Sequence, residues 1–94
     1  MALPMDQREG WIWFDGELKP WQDAKIHVLT HGLHYASSVF EGERAYGGEI
    51  FKSREHTERL IRSGKTLDFT IPYSADEINA ACRLVLEKNN LVDA

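Results

Sequence analysis

The chain has 94 residues, of which 43% are hydrophobic and 28% are charged, and its formal net charge is −4 at pH 7. This length allows one domain at most, and the composition is that of a globular protein rather than a disordered one. The negative charge argues against a nucleic-acid partner, and no apolar run approaches the ~20 residues of a membrane span.

The opening of the chain carries no signal-peptide pattern, and we expect residues 1–10 to be a flexible leader ahead of a domain over residues 11–94. The lone cysteine, Cys82, cannot form an internal disulfide. It falls in a helical pattern, so we expect a buried free thiol in a reducing, cytoplasmic environment.

The first predicted element is an antiparallel hairpin. Residues 11–14 form a short aromatic run that ends in Asp15-Gly16, a dipeptide that tolerates the positive φ values of a two-residue turn. Residues 17–19 are the return strand, and Pro20 ends it or confines it to a sheet edge. Residues 23–30 are compatible with extended structure, and Gly32 predicts a bend.

Residues 38–46 are predicted to form a strand, whose side chains alternate between two faces. One face carries the carboxylates of Glu41 and Glu43, and we expect it to face solvent. The other face combines an aromatic ring, the gap left by a glycine and a cation, which are the components of a pocket wall: Phe40, Gly42 and Arg44.

A second hairpin and two helices complete the prediction. Gly47-Gly48 predicts a turn into residues 49–52, and Ser53 is a candidate N-cap for a helix over residues 54–66. Ser74 and Glu77 have the spacing of a capping box for a second helix, which Asn89-Asn90 ends. This order predicts an α+β domain, with a small antiparallel β-sheet and two helices.

The residues alone leave the chemistry open. His27, His31 and His34 have a spacing that would place them on one side of a helix, but the segment does not have a helical pattern, so we favour structural hydrogen bonds over a metal site. Arg59 is either a solvated surface residue or a residue whose planar guanidinium binds a phosphate. Tyr35 is either a core residue or part of a pocket. No phosphate-loop, dinucleotide or nucleophile-elbow motif is present.

Many short motifs, in order along the chain, match one known family. They are Trp13-Phe14-Asp15-Gly16-Glu17, residues 20–31, Leu33-His34-Tyr35, Val39-Phe40-Glu41-Gly42, Arg44-Ala45-Tyr46, Ile50-Phe51, Glu55-His56, Arg59-Leu60, Ser63 and residues 88–91. With these motifs the chain resembles the opening of branched-chain amino acid aminotransferases, which are pyridoxal-phosphate enzymes of fold type IV.

The resemblance implies a role for several residues. Arg59 aligns with the arginine that binds the cofactor phosphate, and the side-chain pocket of the substrate is implied for Tyr35, Phe40 and Gly42, with Arg44 nearby. The implied reaction transfers the amino group of leucine, isoleucine or valine to 2-oxoglutarate. The resemblance also implies pyridoxal 5'-phosphate as the cofactor, small-molecule partners (an amino acid and a 2-oxo acid), a cytoplasmic location and at least a homodimer.

The chain also departs from the family pattern. Ala36 stands where many members have glycine, and Glu43 stands where many have an apolar residue; we expect Glu43 to point away from the pocket, with little effect on substrate choice. The lysine that holds the cofactor covalently lies downstream in the family, in a second domain. We therefore expect this chain to be the N-terminal small domain alone, with no catalytic residue and no activity of its own.

Two alternatives stay open at this point. One is a sister enzyme of the same fold, either a D-amino acid aminotransferase or an aminodeoxychorismate lyase. The other is a non-catalytic binding or interaction module that shares the fold.

Overall fold

The structure is a computed structural model that describes residues 3–94. It contains four strands and three α-helices, together with 3₁₀ turns at Met5–Gln7 and Trp21–Asp23. The elements in chain order are β1 (Trp11–Phe14), β2 (Glu17–Pro20), α1 (His31–Tyr35), β3 (Ala45–Tyr46), β4 (Glu49–Ile50), α2 (Ser53–Thr66) and α3 (Ala75–Lys88).

The predicted α+β class is confirmed, although the strands form two separate antiparallel pairs, β1–β2 and β3–β4, rather than one sheet. None of the helices found in residues 3–94 is both long enough and apolar enough to span a membrane.

The first hairpin forms as the Asp-Gly signal predicts. Asp15 and Gly16 have φ values of 49° and 96°, and Trp11 to Phe14 pair with Pro20 to Glu17. The hydroxyl of Tyr73, just before α3, donates to Asp15 Oδ1 at 2.7 Å. At the other end of β1, the side chain of Asn89 bonds both the N–H and the C=O of Trp11, each at 2.9 Å. The hairpin is therefore attached to both ends of α3.

The predicted capping box at the start of α3 is confirmed. The hydroxyl of Ser74 accepts from the Glu77 N–H at 3.1 Å, and the Glu77 carboxylate accepts from the Ser74 N–H at 3.0 Å. At the other end, Asn90 has a φ of 54°. Local sequence signals thus set both boundaries of this helix.

Helix α2 starts one residue earlier than predicted. Lys52, with a φ of 53°, is the N-cap residue, and Ser53 is the first helical residue. The Ser53 hydroxyl donates instead to Asn79 Oδ1 on α3, at 3.3 Å. The hydroxyl of Thr57, which is 2% exposed, donates to the same oxygen. These bonds fix the two helices against each other through a small buried polar cluster.

The predicted strand over residues 38–46 is wrong except at its end. Only Ala45 and Tyr46 pair with another strand, and residues 38–44 have no regular secondary structure. The alternation of faces nevertheless holds, because the even-numbered residues from 38 to 46 are exposed and the odd-numbered ones from 39 to 45 are buried or half-buried. The prediction that the Glu41 face is wet is also wrong, since this side chain is only 7% exposed.

The segment from His27 to Tyr35 contains a short helix that the sequence pattern did not predict. Residues His31–Tyr35 form α1, and Ala36 ends it with a φ of 57°. His34 Nε2 lies 2.6 Å from the carbonyl of Val28, and His27 Nδ1 accepts from the Leu29 N–H at 3.0 Å. Two of the histidines therefore bond the backbone of their own loop.

The leader contacts the 3₁₀ turn at Trp21–Asp23, which follows the first hairpin, through its backbone carbonyls. The indole N–H of Trp21 donates to the carbonyl of Met5, and the Gln22 side-chain amide donates to the carbonyl of Gln7 at 3.2 Å. The flexibility expected for residues 1–10 stays a prediction.

The apolar core of the described residues is small. The buried hydrophobic side chains are Ala45 and Ala81, at 3% and 7% exposure. Among the described residues, fifteen large apolar side chains are exposed, and six of them lie between residues 26 and 40. An apolar groove that is open to solvent lies between the helices and the β3–β4 hairpin.

Candidate functional site

The centre of the candidate site is an ion pair between α2 and the irregular segment before β3. Arg59, on α2, donates from Nε to Glu41 Oε2 at 2.7 Å and from Nη2 to Glu41 Oε1 at 2.6 Å. This side-on, bidentate arrangement holds the plane of the guanidinium in one orientation. The Arg59 side chain is still 60% exposed, whereas that of Glu41 is 7% exposed.

A histidine supports the same carboxylate. His56 Nδ1 lies 2.7 Å from Glu41 Oε1, and it is placed on the same side of α2 as Arg59 because the two residues are three positions apart. The hydrogen bond from Arg59, followed by that from His56, lowers the pKa of Glu41 from 4.5 to about 2. The bond to Glu41 in turn raises the pKa of Arg59. Glu41 is therefore a stable anion at neutral pH.

Arg59 retains donors for a further anion. Its Nη1 has no hydrogen-bond partner within residues 3–94, and the exposure of the side chain leaves this edge of the fork accessible. The planar guanidinium suits the tetrahedral oxygens of a phosphate. The geometry thus provides a cation that a buried carboxylate orients and that still has free N–H groups.

The residues predicted to form a pocket wall share the outer face of the segment beside Glu41. Phe40 is 87% exposed, and the guanidinium of Arg44 lies 5.9 Å from the ring centre of Tyr46. A Cβ atom added to Gly42 would meet no heavy atom within 4 Å, so the space above this glycine is open. The alternation along the segment therefore brings these side chains to one accessible face.

Tyr35 lies on α1, in a different element from the ion pair. Its side chain is 74% exposed, and its ring stacks on that of His31 with the centroids 4.7 Å apart. Within residues 3–94, no three histidine, cysteine, aspartate or glutamate side chains come together as a metal site would require.

Sequence reasoning missed Glu41 and His56 as parts of this site. It assigned Glu41 to a solvent-facing surface and gave His56 no role in a site. The spacing of His56 and Arg59 on one helix face is a signal that could have paired them with an acid. Nothing local to residues 38–46, however, indicates which of the two faces turns toward α2.

The comparisons with known proteins agree on one family. The family model described as amino-transferase class IV matches residues 38–94. A probable branched-chain-amino-acid aminotransferase of Rickettsia felis is 59% identical over 83 residues, which are 88% of this chain and 29% of that protein. The branched-chain-amino-acid aminotransferase of Pseudomonas aeruginosa is 51% identical over an alignment of 96 positions, which covers 98% of this chain and 31% of that protein.

Solved structures show the same likeness. The crystal structure of the Escherichia coli branched-chain amino acid aminotransferase has a TM-score of 0.86 and 47% identity over 92% of this chain and 30% of its own. The T.th. branched-chain amino acid aminotransferase in complex with N-(5'-phosphopyridoxyl)-L-glutamate has a TM-score of 0.86 and 39% identity, over 92% of this chain and 31% of its own.

The chain thus spans about a third of the length of the relatives that it matches. The resemblance to fold-type IV branched-chain aminotransferases is confirmed by these relatives. Since the family model matches residues 38–94, which are more than half of this chain, the chain belongs to the amino-transferase class IV family.

Proposed function

We propose that this chain is the N-terminal domain of a branched-chain amino acid aminotransferase, in which Arg59 holds the phosphate of pyridoxal 5'-phosphate. The observation that carries the proposal is the Arg59 fork, which the buried Glu41 carboxylate orients at 2.6–2.7 Å while its Nη1 edge stays accessible. The names of the relatives and the phosphopyridoxyl ligand of a structural neighbour support it.

The residues present fit the phosphate end of this cofactor. A phosphate needs a fixed cation with free donors, and Arg59 supplies both. When bound, pyridoxal phosphate supplies an electron sink that weakens the bonds to the carbon bearing the amino group. The lysine that holds the cofactor covalently belongs to the remainder of the enzyme, so Arg59 binds and orients, and no catalytic residue is assigned to this chain.

The outer face beside Glu41 supports a pocket for an aliphatic side chain. Phe40 offers an exposed apolar ring, and the open space above Gly42 leaves room for a branched hydrocarbon. Selection among such side chains depends on shape and is worth ~1–3 kcal/mol per methylene. Tyr35 and Arg44 are proposed as further parts of this pocket, contributed by α1 and by the end of the same segment.

The complete enzyme is proposed to transfer the amino group of leucine, isoleucine or valine to 2-oxoglutarate, in the cytoplasm and as at least a homodimer. The 94-residue chain alone is expected to show no transamination. Assays with L-leucine, D-leucine and 4-amino-4-deoxychorismate on the complete protein separate this function from the sister enzymes of the fold. Turnover of D-leucine in preference to L-leucine would contradict it.

The test of the phosphate site is Arg59→Ala in the complete protein, with Arg62→Ala as the matched control on an exposed position of the same helix. We expect Arg59→Ala to weaken pyridoxal phosphate binding about 100-fold, as the loss of ~3 kcal/mol of charge-assisted hydrogen bonds implies. Binding of pyridoxal, which lacks the phosphate, should change little. Equal losses for both ligands, or for both variants, would overturn the assignment.

A further inference from the structure

His56 contacts the same carboxylate as Arg59, and from the same helix. Its Nδ1 lies 2.7 Å from Glu41 Oε1, the oxygen that also accepts from Arg59 Nη2 at 2.6 Å. The other oxygen, Glu41 Oε2, accepts from Arg59 Nε at 2.7 Å. Two side chains of α2 therefore bind one carboxylate and occupy both of its oxygens.

The backbone around Glu41 does little to fix this carboxylate. Residues 38–44 have no regular secondary structure, and residues 39–43 form no backbone–backbone hydrogen bond within residues 3–94. Its orientation consequently depends on its side-chain partners. Because the Glu41 side chain is only 7% exposed, water is poorly placed to replace a donor that is lost.

Arg59 and Glu41 hold each other, but they do not hold the pair in place. The Arg59 side chain is 60% exposed, so the two bonded groups could move together along the surface of α2. His56 is only 21% exposed, and its short, stiff side chain reaches Glu41 Oε1 from one helical turn away. This second attachment to the helix is what restrains the pair as a unit.

One feature of the His56 ring is set by this contact. An ionised carboxylate offers lone pairs and no hydrogen, so the atom that faces Glu41 Oε1 at 2.7 Å has to be a donor. We therefore assign a hydrogen to His56 Nδ1. The neutral ring with its hydrogen on Nδ1 and the imidazolium both meet this requirement, so the contact does not need a charged histidine.

We propose that His56 is a positioning residue for the cofactor phosphate: its Nδ1–H fixes the Glu41 carboxylate, which in turn fixes the guanidinium plane of Arg59. The inference rests on the proposed function, because His56 acts only through Arg59. A guanidinium that is already fixed loses less freedom when it binds a phosphate, and such preorganisation raises affinity. Loss of the His56 donor should thus weaken the hold on the phosphate and leave the hold on the pyridine ring unchanged.

The first test compares His56→Asn and His56→Leu in the complete protein. The two new side chains have the same branched shape, but only asparagine has a donor nitrogen at the δ position. We expect His56→Leu to weaken pyridoxal phosphate binding about tenfold and His56→Asn to bind as the parent protein does. Neither change should alter binding of pyridoxal, which lacks the phosphate, and this ligand also verifies that each variant is folded. His56→Ala replaces His56→Leu in the comparison if the leucine variant does not fold.

Three results would overturn the positioning role. They are unchanged affinity for pyridoxal phosphate without the donor, equal losses for pyridoxal phosphate and pyridoxal, and no recovery with asparagine. Arg59→Ala, measured in the same series, separates this inference from the proposed function. If Arg59→Ala shows the phosphate-specific loss and His56→Leu does not, only the inference fails; if Arg59→Ala does not show it, the proposed function fails as well.

The second test asks whether His56 acts through Glu41. In a double-mutant cycle, His56→Leu is added to Glu41→Ala, which removes the carboxylate. We expect His56→Leu to change pyridoxal phosphate affinity less than twofold in this background, against about tenfold in the parent protein. A tenfold loss in both backgrounds would show that His56 acts without Glu41 and would overturn the proposed order of contacts.

Discussion

At the scale of single residues, two neighbouring carboxylates of the chain differ in their hydrogen-bond partners. Glu41 and Glu43 are two positions apart, and both side chains turn inward because the segment alternates its faces. Glu41 finds Arg59 and His56, whereas one oxygen of Glu43 has no partner within residues 3–94. One acid therefore has a structural and positioning role, and the other has an unsatisfied bonding capacity.

The low pKa of Glu41 makes the stability of the chain depend on pH. A carboxyl group whose folded-state pKa is lowered stabilises the native state above its unfolded pKa, and this contribution is lost as pH falls toward the folded value. For Glu41 the loss should occur between pH 4.5 and about 2. Urea unfolding of the parent chain and Glu41→Gln should show a free-energy difference that is present at neutral pH and shrinks through this window.

The matched control for this effect is Glu49→Gln, on an exposed side chain of β4. It should differ from the parent chain by the same small amount at every pH. A difference between the parent chain and Glu41→Gln that stays constant from neutral pH to pH 2 would show that the Glu41 carboxylate is not stabilised by its partners.

At the scale of elements, the two serines that the sequence marks as N-caps provide a direct test. Ser74 forms the complete capping box of α3, whereas Ser53 is the first helical residue of α2 and makes one long bond, at 3.3 Å. We expect Ser74→Ala to lower the free energy of unfolding by ~1 kcal/mol and Ser53→Ala to lower it by less. Urea titrations of the two variants measure this, and a larger loss for Ser53→Ala would contradict the observed cap.

Local signals predicted the elements whose boundaries depend on local chemistry. The Asp15-Gly16 turn, the Ser74 cap and the αL residue Asn90 each rest on a backbone conformation that the residue itself favours. The strand predicted over residues 38–46 was wrong, because a strand also needs a hydrogen-bonded neighbour, and only Ala45 and Tyr46 have one in β4. Alternation of side chains requires only an extended course, so this part of the prediction held.

The candidate site was predictable only in part for a related reason. Arg59 and the outer face with Phe40 and Gly42 could be identified from the sequence and the resemblance. The contact between Glu41 and Arg59 joins residues 18 positions apart, and it depends on which face of the segment α2 covers. Neither periodicity nor residue type carries that information, which is why the more hydrophilic face was expected to be wet.

At the scale of the whole molecule, exposed apolar side chains are concentrated between residues 26 and 40, a segment that includes the proposed pocket residues Tyr35 and Phe40. Between residues 26 and 40, six large apolar side chains are 57–87% exposed: Ile26, Val28, Leu29, Leu33, Tyr35 and Phe40. Single exposed apolar residues are normal on a monomer, but a concentration of this kind is typical of a surface that contacts other protein.

This surface predicts that the 94-residue chain associates with itself in solution. We expect sedimentation velocity to show an average mass that rises with concentration above the 10.8 kDa of one chain. Leu29→Glu, at a side chain that is 72% exposed, should reduce the association by placing a charge on an apolar contact. Val92→Glu, at a side chain 57% exposed but outside the surface, is the matched control and should leave the association unchanged.

A single species of one-chain mass at every concentration would show that this apolar surface is not sufficient for association, and that the proposed homodimer depends on the rest of the enzyme.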